Sequence, residues 1–190
     1  STGLVEAPAP VIADGIATYV YINMAGQYSY EVSRDDHISQ SGTVNISGEN
    51  ESRNINLVAN TYALEITVQP TDAAVVLKKA DGTTLTNPAP SEGKYTYTLP
   101  SGSYSLNVSK FGYVARERAV TINKAATQAA VTLAAAATTQ AAFNISYSDA
   151  PQAPPAATVV VKYGETVIEA GPDGSYTLPT GKYTYTVKAK

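Results

Sequence analysis

Arg34-Asp35-Asp36-His37 is the stretch of this sequence whose residue types could most readily do chemistry together, and His37 is the sole histidine. Two carboxylates and an imidazole could ligate a metal ion. Consecutive positions on a turn cannot all point inward, however, and no second cluster has ligand spacing, so the stretch is expected to be a solvated loop. A serine nucleophile would need a histidine or lysine base held by a third group, and no such pattern surrounds His37. Glycoside cleavage needs two acids facing a cleft, whereas the acids here are scattered over turn-forming sequences. No Asp-x-Asp-x-Asp-Gly calcium loop is present. Cysteine is absent, which removes disulfides, thiolate metal sites and thiol nucleophiles. The expectation is a chain with no catalytic residue, no metal site and no cofactor.

Charge and hydropathy narrow the partners. The net charge of −3 is spread out, with no basic patch to neutralise a row of phosphates, so nucleic acid is not an expected partner. No apolar run approaches the ~18 residues of a membrane-spanning helix. No signal peptide is recognisable, so the chain is expected to start downstream of one or to belong to something longer. Tyrosine supplies 14 aromatics against 2 phenylalanines, and threonine, serine and valine abound. Those residues suit pleated, half-buried strands, and a tyrosine tolerates one wet edge.

The elements that would position any site come from an internal repeat. Gly-x-Tyr-x-hydrophobic-x-Val occurs as Gly102–Val108 and again as Gly181–Val187, with a worn copy at Gly26–Val32. The copies lie 76 and 79 residues apart, the size of a compact sandwich rather than a solenoid turn. After the first copy come Thr43–Ile46 and Asn54–Leu57; after the second come Ala119–Ile122 and Ala130–Leu133. Each pair reads as two alternating strands parted by a polar turn. The alanine-rich stretch from Ala125 could be a helix on propensity alone. Its match to the earlier strand slot makes it a strand followed by a linker. Asp81-Gly82, Gly48-Glu49-Asn50 and Pro172-Asp173-Gly174 mark antiparallel turns. No helix-length polar periodicity separates the strands, which argues against parallel crossovers.

The expected architecture is therefore all-β, a tandem of antiparallel Ig-like or prealbumin-like β-sandwich domains. Residues 1–62 form a back-half module, 63–137 a complete central sandwich, and 138–190 a front half. The two outer halves could complete one sandwich, within one chain or head-to-tail between chains. In Leu99-Pro100-x-Gly102-x-Tyr104 and its copy around Tyr183, the tyrosine hydroxyl is expected to reach back to an upstream carbonyl. Tyr104 and Tyr183 are thus expected to be buried structural residues. A row of exposed rings at Tyr19, Tyr21, Tyr62 and Tyr147 is the candidate contact for a glycan or protein partner. Lys110-Phe111-Gly112-Tyr113 is expected to close a turn by packing Phe111.

Val68-Gln69-Pro70-Thr71-Asp72-Ala73-Ala74-Val75, an Asp-Gly hairpin and Tyr-x-Leu-Pro-x-Gly-x-Tyr together resemble bacterial PEGA-type and carboxypeptidase-regulatory-like modules. That resemblance implies a prealbumin-like seven-strand sandwich on secreted or cell-surface proteins, acting as a spacer, stalk or ligand-presenting rod. Collagen-adhesin B-type repeats are a neighbouring family, in which a buried acid catalyses a Lys–Asn isopeptide bond. Here the facing slots hold Leu106, Val108, Tyr185 and Val187, and Glu31 lies on the opposite strand face, so no such bond is expected. The function expected is a non-catalytic structural or adhesive module at the bacterial surface, meeting protein or glycan partners. The alternative is a carbohydrate-binding sandwich attached to an extracellular glycan-degrading enzyme.

Overall fold

The computed structural model describes residues 7–22, 25–148 and 157–189. It is all-β, with fifteen strands and, among those residues, no helix. The chain divides into two compact units, Ser1–Asn60 and Thr61–Lys190. Residues 61–137 and 138–190 fall in the same unit.

That sandwich contains β5 (Thr61–Gln69), β6 (Ala74–Lys79), β7 (Lys94–Pro100), β8 (Gly102–Ser109), β9 (Arg116–Ile122) and β10 (Thr127–Thr132). They form two three-stranded sheets, β10-β5-β7 and β6-β8-β9. Alternation decides which side chains meet. Leu64, Ile66 and Val68 of β5, Tyr95 and Tyr97 of β7, Leu77 of β6, and Tyr104, Leu106 and Val108 of β8 all face the interior and are buried. Between them, Glu65, Thr96, Thr98 and Ser105 face outward or lie half exposed. The sandwich has six strands where the family resemblance implies seven. After the Asp81-Gly82 turn the remaining slot is a short arm, held where Lys79 N donates to Thr83 O and Leu85 N to Leu77 O.

One ladder departs from the antiparallel expectation. β10 runs parallel to β5 over six residues, from Thr127 opposite Leu64 to Thr132 opposite Gln69. Short hairpins force antiparallel pairing. β5 and β10 are the first and last strands of the module and are joined through the other sheet, so no hairpin constrains them.

Within the same unit follow β11 (Thr138–Ala141), β12 (Ala157–Tyr163), β13 (Thr166–Ile168), β14 (Tyr176–Pro179) and β15 (Thr184–Ala189). β11 pairs with β14, and β12 lies between β13 and β15. β11 occupies part of the alanine-rich stretch expected to be a linker. Here strand pairing with β14 overrides alanine's weak preference for sheet.

The other unit holds β1 (Val11–Ala13), β2 (Ile16–Thr18), β3 (Gly26–Val32) and β4 (Gln40–Ile46). β1 and β2 form a hairpin around Asp14-Gly15, and β3 pairs with β4 from Gly26 opposite Ile46 to Val32 opposite Gln40. The strand expected at Asn54–Leu57 is absent: residues 51–58 belong to no strand, though Ile55 and Leu57 still alternate as half-buried side chains. The repeat is nonetheless a repeat of backbone geometry. Ile38 N donates to Val58 O at 2.8 Å and Asn60 N to Asp36 O at 2.9 Å; at the same offset, Val114 N donates to Ala134 O and Ala136 N to Gly112 O, both at 2.9 Å.

Leu106→Ala and Ile66→Ala, which truncate fully buried side chains, are expected to destabilise the protein by about 2–5 kcal/mol. Thr98→Ser on the wet face is expected to change stability by about 0.5 kcal/mol or less. Urea unfolding of the three variants checks the contrast.

Candidate functional site

Three tyrosine turns recur along the chain. Tyr104 Oη donates to the Pro100 carbonyl at 2.8 Å, and Tyr183 Oη to the Pro179 carbonyl at 2.7 Å. In each copy the ring folds over the glycine two residues earlier: a Cβ at Gly26, Gly102 or Gly181 would meet Tyr28, Tyr104 or Tyr183 at 3.8, 3.9 and 3.5 Å respectively. Gly26 and Gly102 adopt φ of +156° and +154°, where a side chain is disfavoured. The hydroxyl bond ties each ring to the carbonyl that ends the preceding strand. Burial differs between the copies. Tyr104 is buried, its strand flanked by β6 and β9. Tyr183 is only half-buried, contrary to expectation, because β15 is an edge strand of its sheet. Burial raises the pKa of the Tyr104 hydroxyl, and that of Tyr183 is also raised, first by desolvation and then by Tyr163.

A second tyrosine set satisfies a carbonyl at the start of the facing sheet. Tyr97 Oη donates to Asn87 Oδ1 at 2.7 Å, and Asn87 Nδ2 donates to Val75 O at 2.7 Å. In the C-terminal copy Tyr176 Oη reaches the matching carbonyl, Val159 O, directly at 2.9 Å. Val75 stands opposite Val108, and Val159 opposite Val187, in equivalent ladders. Burial first, and Tyr95 second, push the Tyr97 hydroxyl up to about 12. Asn87 was not legible as a site residue, because it lies in a loop and only the fold brings it beneath Tyr97.

The reactive-looking stretch resolves into a turn. Tyr113 N donates to Lys110 O at 3.2 Å, and 76 residues earlier His37 N donates to Arg34 O at 3.1 Å. Asp36 and Gly112 share the left-handed conformation, with φ of 60° and 81°. His37 Nδ1 lies 2.9 Å from Asp35 O, a contact within the turn itself. Arg34-Asp35-Asp36-His37 is thus the same turn as Lys110-Phe111-Gly112-Tyr113. Among the described residues, no three histidine, aspartate or glutamate side chains stand close enough together to hold a metal ion.

In the central copy of that turn, Phe111 carries an aromatic junction. Its ring lies 4.6 Å from that of Tyr163 and 6.5 Å from that of Tyr183, and those two rings are 5.6 Å apart. The turn is braced from the other side by Lys110, whose Nζ meets Asp72 Oδ1 at 2.5 Å and sits 5.4 Å above the Tyr113 ring. Lys110 holds the Asp72 carboxyl below its usual range. The junction joins the central sandwich to β12 and the turn before β15, within one compact unit. Phe111 was legible as a turn-packing residue; its partner Tyr163 was not, lying in a valine-rich strand that reads as core.

The four candidate contact tyrosines do not form one row. Tyr62 is half-buried in β5 and packs against the central core. Tyr147 is half-buried, and its hydroxyl is enclosed with no hydrogen-bond partner among the described residues. Tyr19 and Tyr21 belong to the other unit and are 47% and 48% exposed. They stand 76 residues before Tyr95 and Tyr97, which are 7% and 5% exposed. Tyr19 and Tyr21 thus correspond by spacing to core positions of the central sandwich, although they are exposed here; Asn23-Met24 in place of Leu-Pro obscures that correspondence in the sequence.

No protein-family model matches the chain, and neither does any curated protein. Its structure is similar to that of the Bacillus anthracis TIE protein, at a TM-score of 0.48 and 16% sequence identity. The likeness covers 94% of this chain, which spans 39% of that one.

Two outcomes follow. A folded-state hydroxyl pKa above the unfolded value stabilises the fold below pH 10, and that contribution is lost as pH rises from about 10 towards about 12. Alkaline unfolding followed by circular dichroism is expected to show a fall in that window, and Tyr97→Phe to make it shallower. Phe111→Ser is expected to speed amide exchange in β12, β13 and β15 roughly 5–150-fold, as loss of two aromatic pairs worth about 0.5–1.5 kcal/mol each implies, while β5–β10 keep their protection.

Proposed function

We propose that this chain is a non-catalytic structural module of a bacterial surface or secreted protein, a spacer that resists tension. The observation that carries this reading is the parallel β5–β10 ladder. β5 opens the central sandwich and β10 closes it. Because the two run the same way, the module's entry and exit lie at opposite ends of one six-pair ladder. Tension applied along the chain therefore shears all the bonds of that ladder together instead of opening them one at a time. A spacer between a cell and its surroundings needs that geometry, whereas an enzyme or a lectin gains nothing from it.

Two further features support the reading. The Gly-x-Tyr motif recurs at spacings of 76 and 79 residues, as repeated modules along one chain would require. The polar groups most suggestive of chemistry are committed to the fold: the tyrosine hydroxyls to backbone carbonyls, and the Arg34–His37 stretch to a turn also built from Lys110–Tyr113. The resemblance to PEGA-type modules points to the same setting.

Single-molecule pulling of the full chain tests the proposal. The central sandwich is expected to yield in one high-force event releasing roughly 240 Å of chain, the extended length of the residues between Thr61 and Thr132. Alternate residues of an edge strand direct their N–H groups to the neighbour. One of Ala129→Pro and Ala130→Pro is therefore expected to lower the force sharply. Gradual yielding at low force in the unaltered chain would sink the spacer reading.

A further inference from the structure

The two sheets of the central sandwich end on β6, β7, β9 and β10, and three of these edges carry their own protection. At β6 the short arm after Asp81-Gly82 takes up the outward groups: Lys79 N donates to Thr83 O, Leu85 N to Leu77 O, and Asn87 Nδ2 to Val75 O. β7 is stopped at both ends. Val68 N donates to Gly93 O, so Tyr95, Tyr97 and Leu99 turn their backbone groups towards β5, and Lys94, Thr96, Thr98 and Pro100 turn theirs outward. Lys94 already exchanges backbone bonds with Ser91, and Pro100 has no N–H to offer. β9 carries Arg116, Glu117 and Arg118, charges of the kind that discourage strand addition.

β10 has none of these devices. From Thr127 to Thr132 it holds no charge and no proline. Leu133 N donates to Gln69 O, so Thr127, Ala129 and Val131 address β5, while Gln128, Ala130 and Thr132 point their N–H and C=O groups away from it. Among the described residues, the hydrogen bond that reaches this outward edge comes from a side chain: Arg118 Nη1 donates to Ala130 O at 3.2 Å. Arg118 stands opposite Leu106 and two residues before Val120, so its slot belongs to the core-facing row of β9. An unpaired guanidinium cannot enter an apolar core. The exposed side chain instead crosses the open side of the sandwich and lies on the edge of the opposite sheet. Charge placed in an inward slot is one of the ways a sheet edge is kept from pairing.

We propose that the outer edge of β10 is a site of self-association between two copies of this chain, and that Arg118 is the residue that keeps it closed. The occupant is a second copy because the edge is complementary to itself. Turned antiparallel about Ala130, two β10 strands place Ala130 opposite Ala130 and Gln128 opposite Thr132, so every outward N–H and C=O of those residues finds a partner. The inward row then sets Ala129 opposite Val131, which continues the buried apolar row of each sandwich across the join. No like charges face each other along the strand pair. The contact is isologous and therefore closes as a dimer. The guanidinium of Arg118 sits on the Ala130 carbonyl that the partner's N–H needs, so the edge opens only where Arg118 lets go. The inference concerns the central sandwich alone and stands independently of the spacer reading, since a force-resistant ladder does not require its outer edge to pair.

Sedimentation of the full chain from micromolar to millimolar concentration tests it, with the unaltered protein beside Arg118→Met, which keeps a long stem and removes the donor. Arg118→Met is expected to dimerise on the order of tenfold more tightly and to stop at the dimer. The Ala130 side chain faces solvent, so Ala130→Lys leaves the core untouched. Added to Arg118→Met, it sets like charges opposite each other and should restore the monomer. The chain has no cysteine, so Ala130→Cys supplies a direct readout. Under oxidation the introduced thiols should link two copies on the order of tenfold faster in the Arg118→Met background than with Arg118 kept. In the chain that keeps Arg118, Ala130→Cys should still link faster than Thr96→Cys on the protected β7 edge, a comparison that does not depend on the folding of Arg118→Met. Dimerisation that survives Ala130→Lys overturns the inference, since another surface would then be responsible. So do thiols that link no faster at Ala130 than at Thr96, or a folded Arg118→Met that stays as monomeric as the unaltered chain.

Discussion

A strand in this protein turns its apolar side chains to one side, and that row is stable only when a second row lies over it. The three copies of one motif show the constraint acting on nearly constant sequence. Tyr104, Leu106 and Val108 disappear between two three-stranded sheets, whereas Tyr28, Tyr30 and Val32 hold the same positions in their own strand and stay half-covered. Burial is thus a property of the complement of strands around a residue and not of the residue itself. A tyrosine ring left half-covered forgoes on the order of 2 kcal/mol of apolar burial. Several such rings together approach the whole stability of a small domain. The same constraint explains why the central sandwich is the most tightly enclosed part of the described residues: among them, it alone has a first strand and a last strand lying side by side.

Polar bookkeeping follows from that enclosure. Sheets that cover each other seal in carbonyls at the strand ends, and the tyrosines answer them. The Val75 carbonyl is reached through Asn87 from Tyr97, while the matching Val159 carbonyl is reached directly by Tyr176. Two different side-chain routes to one backbone atom indicate that the carbonyl's need is fixed by the fold and the donor is free to vary. This also accounts for a composition rich in tyrosine and poor in phenylalanine. A ring that fills the core edge while its hydroxyl meets the backbone solves two problems at one position.

How far the sequence announces all this depends on the range of the interaction concerned. Period-two alternation, the Asp-Gly turns and the glycine before each tyrosine are local, and they carried the all-β architecture and the tyrosine turns. The orientation of β10 against β5 is not local: it arises from the chain's route through the opposite sheet, and hairpin reasoning pointed the wrong way. β11 was hidden because alanine says little about strand pairing, which depends on the partner that happens to lie alongside. Tyr163 and Asn87 were hidden for a similar reason, since each matters only through a residue far away in sequence. The Arg34–His37 stretch misled in the opposite sense. Its residue types suggest reactivity, yet Asp36 sits where Gly112 sits because aspartate tolerates the left-handed backbone that the turn requires.

The junction within Thr61–Lys190 and the ladder within its central sandwich differ in kind, and the difference orders their responses to strain. Phe111 meets Tyr163 and Tyr183 through ring contacts, Phe111 itself remaining 39% exposed. Such contacts weaken progressively as surfaces slide, because each ring can tilt and keep part of its packing. The β5–β10 ladder cannot yield by degrees: a shift of one residue along it would turn Leu64, Ile66 and Val68 away from the core and bring Glu65 and Thr67 in. A chain of modules joined by adaptable aromatic contacts and closed individually by register-locked ladders would therefore bend at its junctions before any sandwich opened. The turn that holds Phe111 is braced by Lys110 against Asp72, which leads from β5 into β6. The adaptable contact is thereby anchored to the first strand of the rigid ladder, and strain at the junction is delivered to the part of the fold least able to slip.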